Sequence, residues 1–227
     1  SIVGQQARSA FDGMISTLNL QVSDRSVFAG VSVDTPAIAA SDTILNAIKV
    51  EIASAAATTA NEIVSIVDAW FAPGGGFDTV GYLGSSDRRP ATLLADGQSA
   101  MSPPNADAAA FRDVLSASVK GALVEDTGLL DVSERSALAK NAGVSLFEST
   151  AGLSDLRANL GIGEQKIDVA TANLQAQRFA LESARFDLIG VDPFEAATKL
   201  AEAEARLQAI YTITARIANL SLSEYLR

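Results

Sequence analysis

Apolar residues recur along this chain at helical spacings, and one period dominates. Leu146, Leu153, Leu160, Ile167, Leu174, Leu181 and Leu188 stand seven residues apart without a miss. Leu156, Ala170 and Ala184 each lie three residues beyond a member of the series and widen the seam, while Phe179 and Phe186 add a second partial stripe. A strict seven-residue repeat sustained this far implies helix supercoiled against other helices, a rod of about 60 Å at roughly 1.5 Å per residue. Gly161 and Gly163 fall inside it, each costing about 1 kcal/mol relative to Ala. The segment reads as one bent or locally weakened helix, with two helices broken at "LGIGE" as the alternative. The series is expected to form one buried seam.

Shorter stripes flank this segment. Ala7, Phe11, Met14, Ile15, Leu18 and Val22 predict an amphipathic helix over residues 2–22, cut off by "SVFAG". From Asp42 a second stripe runs through Ile44, Ile48, Ile52, Ala55, Thr59, Ile63, Ile66 and Trp70, with Ser41 or Asp42 as its expected N-cap. Residues 72–105 hold four of the six prolines and many glycines, and read as loop with two short strands, about Phe77–Leu83 and Ala91–Ala95. Helix resumes over Ala108–Val124, and Asp131 with Glu134 three residues on predicts a capping box for the long helix. Asp192, Pro193 and Glu195 supply an N-cap, an N1 proline and an N3 acid for a last helix. Its apolar positions Phe194, Ala197, Leu200, Leu207, Ile210, Tyr211 and Ile217 cover more than one narrow stripe, so contact with more than one helix is expected.

The fold class that follows is mainly α, an elongated helical rod built as a coiled-coil-like bundle with a small β-containing insertion. Residues 1–71 and 106–190 form the rod, 72–105 the insertion and 191–227 a C-terminal helix. A chain of 227 residues with 48% apolar content can bury a core of this kind.

Charge and missing residue types narrow the function. Lys and Arg total 17 against 27 Asp and Glu, a formal charge of -10 that disfavours nucleic acid and anionic membrane as partners. Cys and His are absent, which removes disulfides, thiolate nucleophiles, Cys/His zinc sites and the usual general base. Carboxylate-only catalysis would need two acids converging in a cleft, and no pair is placed to do that. No apolar run reaches the roughly 18 residues of a membrane span, and the start lacks a basic segment followed by an apolar one, so no Sec-type signal is expected.

Local candidates weigh the same way. Gly74-Gly75-Gly76 lacks the preceding strand and following Lys of a phosphate cradle and reads as a flexible turn. Trp70, Phe71 and Tyr82 could make a sugar platform, but packing of the insertion onto the rod is the simpler role. Arg88 and Arg89 read as a solvated tip. Asp155, Glu164, Asp168, Glu182 and Asp187, with Arg157, Lys166, Arg178 and Arg185 among them, are spread along the helix as surface pairs rather than gathered as metal ligands. No catalytic residue, cofactor site or metal site is assigned.

The segment "LNLQVSDRSVFAG", followed much later by "LGIGEQKIDVATANLQAQRFALESARFDLIGVDPFEAATKLAEAEARLQAIYTITARIANLSLSEYLR", resembles the bacterial flagellin superfamily. The C-terminal part covers about a third of the chain and keeps the order of long helix, short acidic break, final helix and leucine-rich end. Within the superfamily, "FAG" after a helix and the ending "SLSEYL" are more similar to the hook-filament junction type of hook-associated protein than to filament flagellin. Tyr82-Leu83-Gly84, "LLADGQ" and "AFRDVL" follow in an order that resembles the same type.

The resemblance implies a structural subunit of the flagellum that joins hook and filament by lateral and axial self-association. It implies export through the flagellar apparatus without a cleavable signal, and a place outside the cell. The implied partners are the chain itself in a ring or helical assembly, a neighbouring hook-associated protein, flagellin and an export chaperone. It also implies an N-terminal helix that pairs with the C-terminal one; a longer chain that supplies it ahead of Ser1 is expected, with pairing by another molecule as the alternative. With no partner helix evident for them, Ile210, Ile217, Leu220, Leu222, Tyr225 and Leu226 are expected to form an assembly surface. The alternatives are a filament flagellin and, in a different class, a secreted carbohydrate-binding or enzymatic domain with its site in residues 72–105.

Overall fold

A computed structural model describes residues 2–94, 97, 99–100, 102–125, 131–190 and 192–225, without the side chains of 2–3 and 219–225. The fold is mainly α. Its contacts divide into two units, Ser1–Ala170 and Thr171–Arg227.

Unit 1 contains α1 (Ile2–Leu18), α2 (Ser41–Ser54), α3 (Ala60–Phe71), α4 (Ala109–Leu123) and the first part of α5 (Val132–Ile189). The division between the units falls inside α5. Helix α4 is the centre: every residue from Val114 to Gly121 is buried, and α1 and α3 pack along it. Phe11, Ile15 and Leu18 of α1, Ile44, Ile48 and Ile52 of α2, Ile63 and Val67 of α3, and Leu138 of α5 complete the core.

The first two stripes are shorter than their periodicity predicts. Helix α1 stops at Leu18 because Asn19 turns its side chain onto the backbone of Ile38, donating to the carbonyl and accepting from the amide, both at 2.8 Å. Val22 therefore lies exposed on β1 (Gln21–Val22), paired antiparallel with β2 (Arg25–Ser26) across the left-handed residues Ser23 and Asp24. The stripe from 42 to 70 is two helices. Ala56 adopts a φ of 50°, and Thr59 and Glu62 then form a capping box that starts α3. Neither Ser41 nor Asp42 caps α2: the N-cap is Ala40, without a side-chain bond, and Asp42 instead pairs with Arg8 of α1.

The insertion departs further from expectation. Phe77–Gly81, expected in a strand, is a π-helical turn closed by the Tyr82 amide on the Phe77 carbonyl at 2.7 Å. The local cause is aromatic packing. Trp70, Phe71, Phe77 and Tyr82 form a buried cluster with ring centroids 4.9 to 6.4 Å apart. Gly76 belongs to that packing, since a Cβ there would lie 2.0 Å from Trp70 Nε1, and Asp78 accepts from the Gly74 amide at 2.6 Å. The triple glycine is thus a fitted turn rather than a loose one. Of the second expected strand, Thr92–Leu93 forms β3 and pairs with β4 (Ser99–Ala100), while residue 95 lies outside the described residues.

Arg89 is not a solvated tip. Its guanidinium donates to the carbonyls of Ser26 (2.7 Å), Val27 and Gly30 (3.1 Å), tying the "SVFAG" loop to the insertion. Gly30 sits at a φ of 64°, and a Cβ there would meet the carbonyl oxygens of Ser85 and Asp87 at 2.5 and 2.6 Å. The Ala106 amide closes the loop from the other side on the Phe28 carbonyl, at 2.8 Å.

Two buried polar groups generate predictions. Lys120 on α4 is buried, its ammonium 2.7 Å from Asp68 Oδ1 and 3.2 Å from Ser145 Oγ. Asp68→Ala leaves that ammonium without its counter-charge and is expected to destabilise the chain by about 1–3 kcal/mol in denaturant titration, with Lys120→Met costing less. The Tyr82 hydroxyl donates to the Ser85 carbonyl at 2.7 Å, and burial first, then the nearby Asp107, pushes its pKa up to about 12. A raised pKa means that the neutral phenol contributes stability fully below pH 10 and loses it as the pH climbs to about 12. Alkaline ultraviolet titration of the chain and of Tyr82→Phe is expected to assign the transition near pH 12 to Tyr82.

Candidate assembly surface

Helix α5 begins at Asp131, whose Oδ1 accepts from the Glu134 amide at 2.9 Å. The expected capping box is only half made there, because the Glu134 carboxylate turns to the Ala60 amide at 2.6 Å and caps α3. The start of the long helix is thereby tied to the core. Leu138, Ala142, Ser149 and Ala170 are its buried residues.

The helix runs unbroken through Gly161 and Gly163, and a Cβ at either would meet nothing within 4 Å. Helix propagation through neighbours of good propensity carries it past both glycines at a cost of about 1 kcal/mol each.

The seven-residue series is not covered within this chain. Leu153 is half-buried, and the other members are exposed, from 37% at Leu160 and 48% at Leu174 to 71% at Leu181 and 84% at Leu188. In unit 1, Leu160 and Ile167 line an open groove of about 550 Å³ whose opposite wall includes Pro103, Pro104 and Arg88.

A second apolar face accompanies the first. Val144, Ile162, Val169, Phe179 and Phe186 each stand two residues from a member of the series, about 200° round the helix at roughly 100° per residue. All five are exposed. Sequence reasoning noticed only the two phenylalanines as a partial stripe, although the offset of two was legible at all five positions. A helix that is apolar on opposite sides needs two coverings rather than one.

Unit 2 consists of the last part of α5 and α6 (Pro193–Tyr225). Asp192 Oδ1 accepts from the Phe194 amide at 2.8 Å, which places the N-cap and N1 proline as expected. No residue described between 171 and 218 is buried. Leu200, Leu207, Ile210, Tyr211, Ile213 and Ile217 are all exposed, with Ile210 at 58% and Ile217 at 60%. The side chains of Leu220, Leu222 and Tyr225, and the whole of Leu226, lie outside the described residues. The polar positions carry surface pairs one turn apart, Arg178 with Glu182 at 2.9 Å and Lys199 with Glu195 at 2.6 Å. Among the described residues this is an extended apolar surface with no tertiary cover.

The rival site in residues 72–105 shows no apolar face of that extent among its described residues. Trp70, Phe71 and Tyr82 are buried, so their faces are not available as a sugar platform. Arg112 on α4 is engaged with Asp78, the carbonyls of Phe71 and Asp107, and the Phe77 ring at 4.8 Å. Among the described residues no group of three or more acids is placed to hold a metal ion, and no helix is long and apolar enough to cross a membrane.

Residues 147–226 match the family model of the bacterial flagellin C-terminal helical region. The match takes in about a third of the chain, α5 from residue 147 onward and all of α6, and it supports the flagellin superfamily. No curated protein and no solved structure matches the chain. Members of that superfamily are structural subunits that self-assemble into the extracellular flagellum.

Exposure and burial predict opposite outcomes for similar truncations. Leu181→Ala is expected to change the stability of the dilute chain by no more than about 0.5 kcal/mol while weakening its association. Leu115→Ala, at a fully buried position of α4, should cost about 2–5 kcal/mol. Thermal melts at low concentration, with sedimentation at high concentration, measure both.

Proposed function

We propose that this chain is the flagellar subunit that joins hook to filament, a non-enzymatic protein whose work is lateral and axial self-association. The observation that carries the flagellar reading is the coincidence of the family match with the uncovered apolar faces of α5 and α6 over the same residues. The choice of the junction type over filament flagellin rests on "FAG", "SLSEYL" and the order of the short segments between them. The loop that carries "FAG" is a built feature, held by Arg89, Ala106 and Gly30.

On this reading residues 1–71 and 106–190 form the helical body, 72–105 an insertion on it, and 191–227 the terminal helix. The leucine series from Leu146 to Leu188 is a seam closed by neighbouring helices. Ile210, Ile217, Leu220, Leu222, Tyr225 and Leu226 meet other subunits, and the adjoining partners are a hook-associated protein on one side and flagellin on the other. The chain leaves the cell through the flagellar export apparatus, escorted by a chaperone and without a cleavable signal.

Removal of residues 210–227 from the full-length gene tests the assembly role. Electron microscopy of such cells is expected to show hooks without filaments, with flagellin released into the medium. Normal filaments on normal hooks would remove the assembly role of the tail. Hooks that still carry filaments, built of other flagellins and lacking this chain, would favour filament flagellin over the junction.

A further inference from the structure

We draw no further inference here: the strongest candidate, the groove of unit 1 between α5 at Leu160, Gly163 and Ile167 and the segment bearing Arg88, Pro103 and Pro104, is an apolar face for which nothing in the structure shows what covers it.

Discussion

A helix with apolar residues on two opposite sides cannot be satisfied by packing on one neighbour, and α5 is such a helix for much of its length. Leu160 and Ile162, Ile167 and Val169, and Phe179 and Leu181 face about 200° apart in pairs, and every one is exposed. Burying a large aliphatic or aromatic side chain is worth about 1.5–3 kcal/mol, so leaving many uncovered forfeits a large share of what folding could gain. The chain spends its other helices elsewhere. In unit 1, α1, α2 and α3 cluster with α4, which is buried from Val114 to Gly121 and needs cover on every side.

That arrangement explains why the polar ties of unit 1 sit where they do. Lys120 lies on the buried helix and reaches Asp68 on α3 and Ser145 on α5, joining three elements through one ammonium. Glu134 joins α5 to α3 by capping a helix other than its own. Arg89 gathers the carbonyls of Ser26 at the end of β2 and of Val27 and Gly30 beyond it, supplying the donors that such backbone groups need away from water. Each tie sets a charged group against backbone carbonyls or amides, a hydroxyl or a single opposite charge.

Long-period signals were legible in the sequence, and contingent ones were not. The seven-residue series made α5 readable through two glycines, and Asp192-Pro193 marked the start of α6, because these signals are local and repeated. The break between α2 and α3 was written as Thr59 and Glu62, a capping box hidden inside an apparently continuous stripe. Phe77–Leu83 reads as a short strand, but contacts among Trp70, Phe71, Phe77 and Tyr82 favour a π-helical turn, and such contacts join residues that no periodicity links. Arg89 was unreadable for a similar reason: its partners lie about sixty residues earlier and are backbone carbonyls, which carry no residue-type signature. The second face of α5 is present in the letters, but its members fall two residues before the series at some turns and two after it at others, so they show no single seven-residue repeat.

Helices that bury nothing of their own have a stability set by what they meet. Isolated helices gain little from propensity alone, and exposed pairs such as Arg178 with Glu182 add only about 0.2–0.5 kcal/mol each. The described residues of 171–218 have such pairs and none of them is buried, whereas unit 1 holds a core that includes Phe11, Trp70, Leu115 and Leu138. Covering by other subunits then acts as ligand binding does, stabilising the covered helices in proportion to the logarithm of the partner concentration. On the proposed reading, unit 1 keeps its fold in the dilute chain while the apolar faces of 171–218 are buried by assembly. The subunit can then travel singly and be completed where its neighbours are dense, which is what a protein that builds by accretion requires.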